Sequence, residues 1–231
     1  MKQNKLKFLM SLVLMLFVLP SFSQTFKSKG ITYTIYDSEK AGVVKGNYSG
    51  KVVIPSQVNY YGTTFTVTSI GDAFERCKSL TSVVLPNTIR YVNGFCHCTR
   101  LTSVTLGNSV EFIGGGAFEG CKSLRSIIIP NSVIEIGIGA FEGCSGLTSV
   151  TIGESVTTIG ENAFKDCTGL VKIICKAKTP PTFPYAHGIS YSYGQAFFDF
   201  YKPTLYVPEE SIEDYKNATW WGRFAKIRAI K

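Results

Sequence analysis

The sequence predicts a repeat solenoid, a stack of short coils closed by a cap at each end. Three observations predict it. Cys121, Cys144 and Cys167 recur every 23 residues, and Phe118, Phe141 and Phe164 recur with them. Leu124, Leu147 and Leu170 keep the same frame, so the period belongs to a whole unit and not to one residue type. A unit of about 20–29 residues is too small to bury its own core, so neighbours must stack to make one.

The chain opens with a separate piece. Lys2, Lys5 and Lys7 precede an apolar run from Phe8 to Leu19, and after it come Pro20 and Ser21-Phe22-Ser23. That order of basic, apolar and small residues predicts a signal peptide over residues 1–23, with the mature chain starting at Gln24. The run is short for a membrane span, which needs about 20 apolar residues. No later segment reads as a span. The protein is therefore expected to be exported and to be secreted, periplasmic or on the cell surface. The net charge is +8, of which the leader's three Lys supply part, leaving 21 basic against 16 acidic residues. The excess is scattered, with no dense basic run carrying aromatics, so nucleic acid is not an expected partner.

Residues 24–49 are expected to form the N-terminal cap, since Ile31, Tyr33 and Ile35 alternate as in a strand. The repeats are expected over residues 50–177. Lys51-Val52-Val53-Ile54-Pro55 reads as a first strand, with Val58 standing where Ile89 stands later. Tyr60-Tyr61-Gly62 reads as a hairpin tip in the insertion after it. In the last full copy Leu147, Val150 and Ile152 face inward from a strand, then come Val156, Ile159, Ala163, Phe164 and Cys167. The copy from Leu80 to Cys98 is two residues shorter and has Gly94 where Ala is usual. Pro86 and Pro130 close their strands, and Gly107 and Gly153 stand at that position in alternate coils. Gly71, Gly114, Gly137 and Gly160 are expected at tight corners with positive φ.

Seven Cys in an exported chain would suggest disulfides, but five of them, Cys77, Cys98, Cys121, Cys144 and Cys167, hold one repeat position. Five residues in one column cannot all pair. They are expected to be small buried hydrophobes, and an odd total leaves at least one free thiol. Residues 178–231 form the last irregular coil and C-terminal cap. Thr204 to Pro208 is a closing strand, and Ser211 is an N-cap with Asp214 at N3 of a short helix. Trp220, Phe224 and Ile227 are expected to seal the last coil.

The copy LTSVTIGESVTTIGENAFKDC resembles the BspA-like, or Treponema-type, leucine-rich repeat of bacterial secreted and surface proteins. The ending YVPEESIEDYKNATWWGRFAKI is similar to the C-terminal cap of such proteins. The resemblance implies a right-handed leucine-rich-repeat coil with short parallel β-strands on the concave side. It also implies a protein that binds other proteins, in some members an adhesin for host matrix proteins.

Strand alternation turns the residues beside each buried Val or Ile outward. These are Ser82 and Val84, Ser103 and Thr105, Ser126 and Ile128, Ser149 and Thr151, and Lys172 and Ile174, flanked by Arg125. This flat concave strip suits a protein or peptide ligand, with a host extracellular protein as one candidate. The same Ser/Thr pattern also suits a plain pleated surface. Arg125 and Lys172 break the pattern and are the sharper candidates. The repeat stops at a stretch rich in Tyr and Phe, residues 185–201, where Tyr185, Tyr191 and Tyr193 are candidate contacts, with Trp221 as the exposed Trp of the cap. That stretch supports the alternative of a carbohydrate-binding module. No catalytic group and no cofactor are expected. Cys96-His97-Cys98 has metal-ligating side chains, but Cys98 falls in the buried column and no second ligand pair is visible, so no metal is expected.

Overall fold

The structure is a computed structural model that describes residues 24–183 and 202–231. Residues 1–23 and 184–201 lie outside it. β1 (Gln24–Ser28) and β2 (Ile31–Ile35) form an antiparallel hairpin, and β3 (Lys40–Val43) joins its edge. β4 (Ser49–Val53) leaves this sheet and starts the solenoid. β5 (Gln57–Tyr60) and β6 (Thr63–Ser69) return to the cap as a second hairpin. Tyr61 and Gly62 at its tip have φ of 48° and 84°. Positive φ at both central residues gives the turn whose twist matches the flanking strands. The cap is thus a five-stranded sheet in the order β1-β2-β3-β6-β5, drawing on residues as far as Ser69.

Each coil then adds one strand to the main face and a two-residue strand beyond the bend. In chain order these are β7 (Ser79–Val84), β8 (Tyr91–Val92), β9 (Ser103–Thr105), β10 (Phe112–Ile113), β11 (Ser126–Ile128), β12 (Glu135–Ile136), β13 (Ser149–Ile152), β14 (Thr158–Ile159) and β15 (Lys172–Cys175). β16 (Thr204–Val207) and β17 (Ile227–Ala229) continue the main face in parallel. The main face has two hydrogen-bonded runs, β4-β7-β9 and β11-β13-β15-β16-β17. The short strands form a second parallel sheet, β14-β12-β10-β8, which the spacing of Val156 and Ile159 did not announce.

The core is a set of columns running through the stack. Phe74, Phe95, Phe118, Phe141 and Phe164 stack face to face, with successive centroids 5.0, 5.1, 5.2 and 5.1 Å apart and rings within 6° of parallel. That spacing is close to the ∼4.8 Å between neighbouring strands, so coil pitch and ring stacking agree. The Cys column runs beside it. All seven thiols are free, and the five column members are buried. Cys98 Sγ donates to Phe74 O at 3.0 Å, Cys121 to Phe95 O at 3.1 Å, Cys144 to Phe118 O at 3.1 Å and Cys167 to Phe141 O at 3.2 Å. The column position therefore takes a residue that is small and apolar and also carries a weak donor for the preceding coil's carbonyl.

The corner glycines need a correction. Gly71 has φ of 39°, but Gly114, Gly137 and Gly160 are not in the left-handed region. They are glycine for want of space. A Cβ on Gly137 would lie 2.6 Å from Gly115 N, and one on Gly160 2.5 Å from Ile138 N. The same cause explains the alternation of Pro and Gly. A Cβ on Gly107 would lie 2.3 Å from Pro86 O, and one on Gly153 2.2 Å from Pro130 O. Left-handed residues sit elsewhere, directly before each column Cys: Arg76, His97, Gly120, Gly143 and Asp166, with φ from 58° to 69°.

The C-terminal cap holds α1 (Ile212–Asn217) and a 3-10 turn over Trp221–Arg223. Ser211 precedes the helix as expected, yet its side chain makes no capping bond, because a 3-10 turn over Glu209–Ser211 already leads into the helix. Trp221, expected from the sequence to be exposed, is 1% exposed. Its Nε1 donates to Pro181 O at 2.8 Å, and its ring packs against Phe183, Tyr215 and Phe224. Trp220 is the half-exposed member, with the Arg223 guanidinium 5.1 Å from its ring centre. A short 3-10 turn reverses which of two adjacent Trp faces the coil, and pattern alone does not reveal it. Tyr215 is fully buried, donating to Ala177 O at 2.8 Å.

Candidate functional site

Pleating positions the strip. Val83, Ile127, Val150 and Ile173 point into the core and are at most 2% exposed, so their neighbours on the same strands face out. Ser82 pairs with Ser103 and Val84 with Thr105. Ser126, Ser149 and Lys172 form one column, with Ile128, Thr151 and Ile174 beside it. The strip extends beyond the strands that the repeat pattern marks. Lys51 and Val53 pair with Ser82 and Val84 at one end. At the other, Thr204 and Tyr206 pair with Lys172 and Ile174, and Arg228 pairs with Tyr206. Sequence carries a signal for most of these, since residues 51–55 and 204–208 both read as strands. Their register against the repeats is what alternation within one segment does not supply.

The strip is mostly uncharged with an apolar row. Ile128 is 69% exposed and Val53 53% exposed. Lys172 Nζ lies 5.3 Å from the centre of the Tyr206 ring, which tethers the lysine over an aromatic face. Arg125 is exposed and has no ion-pair partner among the described residues. Its guanidinium passes close to Gly146, where a Cβ would lie 3.3 Å from Nη1. The flanking threonines are occupied by structure: the hydroxyls of Thr102 and Thr148 each donate at 2.9 Å to a carbonyl one coil back, Thr81 O and Arg125 O. Tyr185, Tyr191 and Tyr193 lie outside the described residues. Trp221 is excluded as a contact by its burial.

A second exposed apolar group belongs to the short-strand sheet. Tyr91 and Phe112 pair across β8 and β10, and Ile134 and Ile138 flank β12. Tyr91 is 53% exposed and Ile138 59% exposed. Nothing in the repeat pattern marked this face.

A third group gathers around Cys96. Cys98 is in the buried column, as expected, while Cys96 and His97 are half-buried. A third ligand type comes from the next coil. One ligand atom from each of Cys96, His97 and Glu119 lies within 4.8 Å of the others, and His97 Nε2 is 3.8 Å from Glu119 Oε1. Burial, and then the carboxylates of Glu119 and Glu75, hold the Cys96 thiol above its usual range. His97 and Glu119 also line an open groove of about 430 Å³ with Arg76, Lys78, Lys122 and Glu142. Motif spacing seeks a further ligand nearby in the chain. In a solenoid it sits about one period away.

Known proteins share this architecture. The BspA-type leucine-rich-repeat region matches in six copies over residues 68–181. Among solved structures, the chain is similar to a leucine-rich-repeat protein of Treponema pallidum, at 30% identity over 68% of this chain and 70% of that one, with a TM-score of 0.55. It is also similar to a leucine-rich-repeat protein of Bacteroides ovatus, at 19% identity over 88% of this chain and 67% of that one, with a TM-score of 0.48. A leucine-rich cell surface protein of Faecalibacterium prausnitzii is 19% identical over 91% of this chain and 74% of that one, with a TM-score of 0.41. No curated protein matches the chain.

Proposed function

This chain belongs to the BspA-type leucine-rich-repeat family, and on that premise we propose that it is an exported interaction protein that binds an extended protein segment along its main strand face. The observation that carries the reading is the outward row in which Val53, Val84, Ile128, Ile174 and Tyr206 are interleaved with Thr105 and Thr151, held on parallel strands and bordered by Ser. Apolar side chains give contact area, the hydroxyls give adaptable hydrogen bonds, and a stiff scaffold lowers the ordering cost of association. Arg125, Lys172 and Arg228 add positive charge at the strip, which favours a segment carrying acidic residues. Adhesion to a host protein is one biological form such binding takes.

The test is selection of binding peptides from a display library, then affinity measurements on Ile128→Asp and Lys172→Glu. Each substitution is expected to weaken binding at least tenfold, about 1.4 kcal/mol, while the melting temperature holds. Selected peptides that bind both variants unchanged would place the function elsewhere on the molecule. A glycan-array signal without peptide binding would favour the carbohydrate alternative.

A further inference from the structure

We propose that Cys96, His97 and Glu119 form a binding site for a borderline-soft divalent cation of the Zn2+ class, set between two successive coils. The site stands out against the repeat. The outward column that holds Cys96 reads Glu75, Cys96, Glu119, Glu142 and Lys165, and the left-handed column beside it reads Arg76, His97, Gly120, Gly143 and Asp166. One coil therefore replaces the Glu-Gly of the two coils after it with Cys-His. It keeps the backbone while installing a thiol and an imidazole next to the next coil's carboxylate.

The geometry supports convergence. Consecutive residues on an extended chain point apart, but His97 has φ of 59°, and this turn brings its ring toward the Cys96 and Glu119 side chains. The coils are locked in register here, since His97 N donates to Glu119 O at 2.6 Å. Tetrahedral coordination by sulfur, nitrogen and oxygen places the ligand atoms about 3.4–3.6 Å apart. The 3.8 Å from His97 Nε2 to Glu119 Oε1 is already near that value. Three protein ligands leave a fourth position for water or a partner's side chain.

The neighbouring charges leave Glu119 to this role. Glu75 is engaged by Lys45 and Arg76, and Glu142 by Lys165, whereas the ion-pair partner of Glu119 is His97 itself. Arg76, Lys78 and Lys122 line the adjoining groove and oppose a cation held only by charge. Ca2+ and Mg2+ need many oxygen ligands and would find one carboxylate. A thiolate and an imidazole instead select a cation that forms strong bonds to sulfur and nitrogen.

The test is titration of the reduced, full-length protein with Co2+, whose bond to thiolate has its own absorption. Expected are one equivalent bound, a thiolate-to-cobalt band, displacement by Zn2+ and no displacement by Ca2+ or Mg2+. Cys96→Ser should abolish the band, and Glu119→Gln and His97→Gly should each weaken binding by about tenfold or more. His97→Gly introduces the residue that the next two coils already use, so it preserves the fold. As a second readout, Zn2+ should raise the melting temperature of the native chain by more than that of Glu119→Gln. Absence of the band in the folded protein, its persistence in Cys96→Ser, or an equal Zn2+ shift in Glu119→Gln would overturn the proposal.

Discussion

At the residue scale, the Cys column shows how one side chain serves two needs. A carbonyl of the preceding coil, which already accepts a backbone N–H, has a second lone pair for a donor, and the column wants a small apolar volume. Ser would satisfy the first need and weaken the second; Ala would do the reverse. The column also sets a pH limit. Burial pushes Cys98 and Cys144 up to about 12, and holds Cys121 and Cys167 higher still. An unfolded thiol ionises near about 8.5. Stability from these groups is therefore complete below about pH 8.5 and is lost as pH rises toward about 12. Each thiol should contribute a slope of up to about 1.4 kcal/mol per pH unit in that window. Urea unfolding at about pH 8 and about pH 10 checks it, and equal stability at the two would be the contrary result. In the native state at neutral pH, iodoacetamide should label Cys96 and spare the five column thiols, as peptide mass spectrometry would show.

At the scale of the element, two kinds of glycine look alike in sequence and differ in cause. Gly137 is excluded from bearing a Cβ by the backbone of the neighbouring coil. Gly139 has φ of 61°, but a Cβ there would meet chiefly the flexible end of Glu142. The equivalent residue one coil later is Asn162, with φ of 58°. Gly137→Ala should therefore cost about 1–3 kcal/mol through overpacking. Gly139→Asn should stay within about 0.5 kcal/mol, because Asn tolerates left-handed backbone. Denaturant midpoints of the two variants give the comparison, and equal destabilisation would mean that the want of space at Gly137 does not set it apart from Gly139.

At the scale of the molecule, a stack of coils has two open ends, and each cap solves that differently. The N-terminal cap is a sheet of two hairpins bridged by β3, with Phe65, Val67 and Tyr33 buried. The C-terminal cap packs Tyr215, Trp221 and Phe224 over the end of the stack. Trp221 is the largest fully buried side chain among the described residues. Trp221→Ala should destabilise by about 3–5 kcal/mol and should promote aggregation, since the last coil would then present its core. Light scattering during thermal unfolding, with Trp220→Ala as the half-exposed control, measures both. Comparable losses in the two variants would deny Trp221 its sealing role.

The 23-residue frame determined the stacked coils, their inward columns and the burial of the Phe and Cys. It could do so because burial recurs at one phase in every coil. The outward strip was legible for the same reason, since pleating makes inside and outside strictly alternate. Contacts between coils were decided only in three dimensions. Gly137 gives way to a neighbour's backbone, Trp221 rather than Trp220 turns inward, and Glu119 meets Cys96 and His97 across a coil boundary. Those outcomes depend on distances between residues far apart in the chain, often by about one period. A sequence records that period, but not which atoms the stacking brings within reach.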